Sequence, residues 1–226
     1  MLLTFDNLLT RQELATVHSQ LAGAPWASGL SAGPQALAVK HNLQLPEDFA
    51  GLTDLRRTVM RALNRSEMLL SAALPYKVVP PNFNRYTTEH SHYGWHNDST
   101  LRYLPDGSVL RTDISATLFL CDPASYDGGE LCIQNAQGDQ CAKLAAGSLV
   151  IYPSGAIHQV TPVTRGERVA CYFFMQSVVK DTECRRQLHE MDLALIDLRQ
   201  RCGETDPALV RLTGLYNNLL RRWSEC

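Results

Sequence analysis

Residues 152–174 run "YPSGAIHQVTPVTRGERVACYFF": a Pro-Ser-Gly turn, a short apolar run holding His158, a turn at "TRGE", and a longer apolar run opened by Arg168. Val, Ile, Tyr and Phe dominate both runs, and these residues suit strands lying against a core. The "TRGE" turn fits a hairpin, so the two strands are expected to pair and to aim His158 and Arg168 into one cavity. Taken singly, a histidine on an apolar strand is more often a satisfied core residue, and an arginine more often lies at the surface.

The same texture extends outward from this stretch. From Tyr76 to about Ser177, short β-rich runs ("FNRY", "ISATLFL", "GELCIQN", "GSLVIYP", "AIHQV", "RVACYFFMQS") alternate with turns at "LPDGS", "YDGG", "YPSG" and "TRGE". No long helix fits between them, which predicts an antiparallel sandwich or barrel. The flanks read as helices. Thr10 and Glu13 stand at capping-box spacing before Leu14, Val17 and Leu21, with Gly23 as a stop. A loop follows through "GAPWASGLSAGPQ", then a helical pattern with Leu52, Leu55, Val59 and Leu63, and Ser66 caps a further short helix. In the tail, Leu188, Met191, Leu195 and Leu198 recur at helical spacing up to Gly203. A last helix begins at Asp206-Pro207 and carries Leu209, Leu212, Tyr216, Leu219 and Trp223. These stripes are expected to pack on the sheet. The organisation is therefore α+β, with a helical segment over 1–75, a β domain over 76–178 and a helical extension over 179–226.

Composition narrows the function. The 226 residues carry 21 basic and 23 acidic side chains, mixed along the chain, and without a basic block nucleic acid is not expected as a partner. No apolar window reaches the length of a membrane span, and the start lacks a basic leader followed by an apolar run; a cytoplasmic protein is expected. Seven cysteines are scattered without a CxxC pair, which predicts reduced thiols rather than a disulfide framework.

The candidate chemistry sits at residues 90–98, "HSHYGWHND", where three of the seven histidines meet an aspartate. His90, His92, His96 and Asp98 share parity, so a continuous strand would aim all four the same way. Two readings compete: a cupin-type set of His90, His92 and His96, or an HxD pair of His96 and Asp98 with a distant third ligand. An HxD alone is weak, because so short a pattern recurs by chance. His158 and Arg168 supply what it lacks. Two histidines and a carboxylate make the facial triad of non-haem iron(II) oxygenases, and an arginine deep in the same barrel needs an anion beside it. The distal carboxylate of a keto-acid cosubstrate would satisfy that need. Gly94 can break the strand between His92 and His96, Trp95 is expected to pack into the core, and the glycine pair of "YDGG" is expected to serve only a tight turn.

The order "WHND", "YDGGEL", "YPSGAIHQVTPVTRGER", "FMQS" and "TGLYNNLLRRWSE" resembles the bacterial PKHD-type hydroxylases, relatives of the prolyl and lysyl hydroxylases, from the N-terminal helix to the last residues. The resemblance implies a double-stranded β-helix (jelly-roll) core and Fe(2+) held by His96, Asp98 and His158. It also implies 2-oxoglutarate bound by Arg168, with Tyr86 helping to seat the same carboxylate, and L-ascorbate as a reductant. The implied reaction couples oxidative decarboxylation of 2-oxoglutarate to hydroxylation of a small-molecule or peptidyl substrate, with a family association to bacterial iron or siderophore uptake. The class-level alternative is a non-catalytic iron-binding or iron-sensing jelly roll, against which Arg168 argues. The amphipathic tail helices offer a homodimer surface.

Overall fold

The computed structural model describes residues 2–29, 38–104, 106–136 and 138–225. The N-terminal third contains β1 (Leu3–Phe5), α1 (Arg11–Leu21), β2 (Ala27–Ser28), β3 (Lys40–His41), β4 (Leu43–Gln44), α2 (Leu52–Arg65) and α3 (Glu67–Ala73). Next come β5 (Pro75–Val78), β6 (Asn82–Tyr86), β7 (His92–His96), β8 (Leu101–Tyr103), β9 (Val109–Arg111) and β10 (Ile114–Phe119). The chain continues through β11 (Leu131–Ile133), β12 (Gln140–Ala142), β13 (Leu149–Pro153), β14 (His158–Val160) and β15 (Arg168–Ser177), and ends in α4 (Thr182–Cys202) and α5 (Pro207–Trp223). The loop expected through "GAPWASGLSAGPQ" lies outside the described residues from position 30 onward.

Local chemistry sets the helix ends. Thr10 accepts from the Glu13 amide while the Glu13 carboxylate receives the Thr10 amide, a complete capping box. Ser66, Asp181 and Asp206 cap α3, α4 and α5 through their side chains. The caps supply acceptors for amides that have no partner inside their helices.

Two antiparallel sheets carry the fold. The larger runs β1-β13-β10-β15-β6-β4-β2, with β5 also on β15; the smaller runs β12-β11-β14-β7-β3. Strand alternation divides the larger sheet's side chains. Phe83, Ala116, Leu118, Leu149, Ile151, Cys171 and Phe173 face the helices and pack with Leu55, Val59, Ala62 and Leu69. Tyr86, Phe119, Val150 and Tyr152 turn to the other side and meet Leu131, Ile133 and Val160 of the smaller sheet. Burying one such Leu, Val or Phe side chain is worth ~1.5–3 kcal/mol, so the helical layer holds the sheet and leaves its inner face for the site.

Four expectations are corrected. First, β14 and β15 do not form a hairpin: β14 pairs with β11 and β7, whereas β15 pairs with β10, β6 and β5. The segment around "TRGE" crosses between sheets, held by Asp127 N–H to the Arg165 carbonyl and Thr164 N–H to the Asp127 carbonyl at 3.0 Å each. Second, Cys132 and Cys141 are not free thiols. They stand opposite each other on β11 and β12, 4.0 Å apart at Cα, and form a disulfide, because strand register brings together residues whose spacing resembles no motif. Third, the tail helices pack chiefly on one another and on α3, not on the sheet. Fourth, Trp95 is 37 % exposed rather than in the core.

Candidate active site

A cavity of about 800 Å³ opens between the two sheets, and its lining includes His96, Asp98, His158, Arg168 and Tyr86. His96 ends β7 and faces His158 of β14 across the ladder, so adjacent strands set the two rings 4.2 Å apart. Asp98 lies just past β7, and its Oδ2 is 3.5 Å from His158 Nε2. One ligand atom from each of His96, Asp98 and His158 lies within 4.8 Å of the other two, a grouping able to hold a metal ion.

Both imidazoles are oriented for such an ion. His96 Nδ1 lies 2.8 Å from the Gly94 carbonyl and His158 Nδ1 lies 3.0 Å from the Ala156 carbonyl. A backbone carbonyl can only accept, so Nδ1 carries the proton in each ring and the Nε2 lone pair is left for the metal. Burial, reinforced by the nearby His158, holds the His96 imidazole well below its ordinary pKa, and the neutral ring is the form that ligates. Asp98 is oriented too: Ser115 Oγ, fully buried on β10, donates to Asp98 Oδ2 at 2.6 Å.

His90 and His92 do not line the cavity. The strand is not broken at Gly94, as expected from the sequence, but bulged. His158 pairs with His96 and Val160 with Tyr93, so three steps on β7 face two on β14. The extra residue reverses the alternation upstream of it. Tyr93 therefore enters the cavity and stacks on His96 with ring centroids 3.4 Å apart, while His92 turns to His41 at 4.7 Å.

Arg168 stands opposite Tyr86 in the β15–β6 register. It is 1 % exposed, its guanidinium lies 5.2 Å from the rings of both Tyr86 and Phe119, and its Nε, Nη1 and Nη2 have no hydrogen-bond partner among the described residues. A buried charge left this way is costly until an anion joins it. The Tyr86 hydroxyl receives Asn42 Nδ2 at 3.1 Å and is steered by it. Gly129, assigned only a turn from the sequence, has φ +70°, and a Cβ there would lie 2.9 Å from Arg168 Cδ and 3.0 Å from both Tyr126 and Val163. The glycine keeps room for the arginine stem. Gln176 does not line the cavity; its Oε1 accepts from the Arg111 amide at 3.3 Å.

Sequence reasoning missed Lys40, Asn42, Tyr93, Arg102 and Ser115. Lys40 belongs to a two-residue strand, too short for periodicity to mark, and Ser115 reads only as a small residue in an apolar run.

Residues 81–176 match the model of the 2OG-Fe(II) oxygenase superfamily, and residues 182–225 match the PKHD-type hydroxylase C-terminal domain. A PKHD-type hydroxylase of Nitrosomonas europaea is 57% identical over 227 residues, with 100% of both chains covered. The chain belongs to the PKHD-type hydroxylase family. As a PKHD-type hydroxylase it is an iron(II)- and 2-oxoglutarate-dependent dioxygenase with a jelly-roll core. A Pseudomonas putida prolyl-4-hydroxylase shares the fold at a TM-score of 0.52 and 19% identity, covering 78% of this chain and 92% of that one. A Trichoplax adhaerens prolyl hydroxylase, in complex with a hypoxia inducible factor peptide fragment, shares it at 0.56 and 15% identity, covering 83% and 86%. The residues present fit the PKHD-type cofactors: two imidazoles oriented by backbone carbonyls and a carboxylate suit Fe(2+), and the Arg168 guanidinium, without a hydrogen-bond partner among the described residues, suits a carboxylate of 2-oxoglutarate. No helix among the described residues is long and apolar enough to cross a membrane.

Proposed function

We propose that the chain hydroxylates a small-molecule or peptidyl substrate, with His96, Asp98 and His158 holding Fe(2+) and with Arg168 and Tyr86 holding the distal carboxylate of 2-oxoglutarate. The observation that carries this reading is the fully buried, unpartnered guanidinium of Arg168 in the cavity that also contains the triad. A metal-binding sensor has no use for a second anion site, and the stability cost of such an arginine is offset only by a ligand.

Dioxygen is the oxidant: with iron and 2-oxoglutarate bound, one of its oxygen atoms would go to the succinate formed as carbon dioxide is lost, and the other to the substrate hydroxyl. The chain supplies the rest. Ser115 fixes the Asp98 carboxylate, the Gly94 and Ala156 carbonyls fix the two imidazoles, and Tyr93 covers one face of His96. Arg168 and Tyr86 orient the cosubstrate from the opposite sheet, a division of labour that sets metal and anchor apart on rigid strands.

Four finer elements complete the proposal. Ascorbate as a reductant and a link to bacterial iron or siderophore uptake rest on the family resemblance, and a cytoplasmic location rests on the sequence. A homodimer is supported by Val210, Leu212 and Leu215 of α5, which are 57 %, 38 % and 50 % exposed.

The test is anaerobic titration with iron(II) and 2-oxoglutarate, followed by oxygen and assay of succinate. Metal binding with 2-oxoglutarate affinity and oxygen-dependent succinate is the expected outcome. Metal binding without either of the others would replace this reading with the sensor.

A further inference from the structure

The cavity is larger than its anchor site requires. At about 800 Å³ it falls within the roughly 300–1,000 Å³ of pockets that enclose a drug-sized ligand, so room remains beyond the Arg168 end. The charges that line this remainder do not balance. The cationic side chains of the lining are Lys40, Arg102 and Arg168, and the acidic ones are Asp98 and Glu47. Glu47 is 71 % exposed and already paired with Arg56 at 2.8 Å, and Asp98 is engaged by Ser115 and His158.

Lys40 and Arg102 are thus left without a carboxylate. Lys40 is only 8 % exposed, with Nζ 5.5 Å above the Tyr93 ring, and no hydrogen bond or ion pair of its ammonium occurs among the described residues. Arg102 packs its guanidinium 4.5 Å from the Phe174 ring, and its buried Nε lacks a hydrogen-bond partner among the described residues. Lys40 on β3 and Arg102 on β8 line the same cavity, and burial, reinforced by the nearby Arg102 and opposed by Asp98, holds the Lys40 ammonium below its ordinary pKa. Strand alternation is what turns Arg102 inward, since its neighbours Leu101 and Tyr103 are 47 % and 79 % exposed. Like charges held together in a half-buried wall are unfavourable alone and favourable around an anion.

We propose that Lys40 and Arg102 form a second anion subsite, distinct from Arg168, which receives an oxyanion of the primary substrate. This rests on the reading that Arg168 takes 2-oxoglutarate. The substrate class is then a carboxylate- or phosphate-bearing molecule. Arg102 supplies the planar fork that pairs with an oxyanion, and Lys40 adds a compact point charge. The buried Asn84 Oδ1, also in the lining and also without a hydrogen-bond partner among the described residues, provides an acceptor for an N–H or O–H of the same molecule.

The experiment uses the anaerobic protein loaded with iron(II) and saturating 2-oxoglutarate, so that Arg168 is occupied. Matched probes are titrated into it: N-acetyl-alanine, N-acetyl-proline and N-acetyl-lysine against their methylamides, and benzyl phosphate against benzyl alcohol. Binding is read from thermal stabilisation. Anionic members of either series are expected to bind better than their neutral partners, and the series that wins identifies carboxylate or phosphate. Lys40→Met should weaken the preferred anion about tenfold, Lys40→Arg should restore most of it, and Arg102→Met repeats the test should Lys40→Met fold poorly. No preference for anions, or a preference that survives both methionine variants, overturns the subsite. Failure of 2-oxoglutarate itself to stabilise the wild-type protein would instead overturn the reading of Arg168.

Discussion

Ser115 Oγ donates to Asp98 Oδ2 at 2.6 Å and lies 2.8 Å from Ser154 Oγ. The Ser115 hydroxyl has one proton, which goes to the carboxylate, so Ser154 must donate to Ser115. Two buried hydroxyls on β10 and after β13 thus form a relay ending on the acidic member of the triad. Such partners hold ligand orientation, and their loss lowers metal affinity by about 10- to 100-fold. Ser115→Ala is expected to raise the dissociation constant for Mn(II) or Fe(II) at least about tenfold, with the fold retained by circular dichroism. Unchanged metal affinity would reduce Ser115 to a packing residue.

Arg168→Met separates function from stability. The substitution keeps the stem and removes the charge-assisted fork, which is worth ~1.5–3 kcal/mol, so 2-oxoglutarate affinity should fall about tenfold to hundredfold. The ligand-free variant should melt no lower than the wild type, because the guanidinium it loses is buried without a hydrogen-bond partner among the described residues. Calorimetric binding and a melting scan check both halves. A variant that binds 2-oxoglutarate normally would remove Arg168 from the site.

The histidines of "HSHYGWHND" divide by the bulge in β7. Alanine at His96, Asp98 or His158 should abolish iron binding and succinate formation, whereas His90→Ala and His92→Ala should keep both, since neither side chain reaches the cavity. Metal analysis of the purified variants decides the matter. Iron lost with His90 or His92 but kept without Asp98 would restore the cupin-type reading.

Much of this was legible in the sequence, because it was written in local pattern. The apolar runs at Ile114–Phe119, Leu149–Pro153 and Arg168–Ser177 became strands, and Thr10, Ser66 and Asp206 became the caps their chemistry suggested. What was hidden depends on pairing. Nothing in "TRGE" tells a hairpin from a crossing between sheets, since both need a turn. The bulge that admits Tyr93 and rejects His92 appears only when β7 is set beside β14. Lys40 and Asn42 reach the cavity from strands of two residues or the link between them, where no periodicity can develop. The Cys132–Cys141 pair likewise exists only in the β11–β12 register.

Gly129 joins backbone conformation to the placing of the Arg168 side chain. Its φ of +70° would disfavour any L side chain, and the space a Cβ would take is bounded by Arg168 Cδ at 2.9 Å, Tyr126 and Val163. Strain alone, the cost of holding a non-glycine residue in this region, is about 1–3 kcal/mol. Gly138 provides the control: its φ is also positive, at +113°, but a Cβ there meets nothing within 4 Å. Gly138→Ala should therefore lower stability without touching 2-oxoglutarate affinity. Gly129→Ala should lower stability and also displace the arginine stem, raising the dissociation constant for 2-oxoglutarate by about tenfold while metal affinity holds, because the triad is borne by β7, β14 and the segment after β7. Equal effects of the two substitutions on 2-oxoglutarate would show that Gly129 serves only its turn.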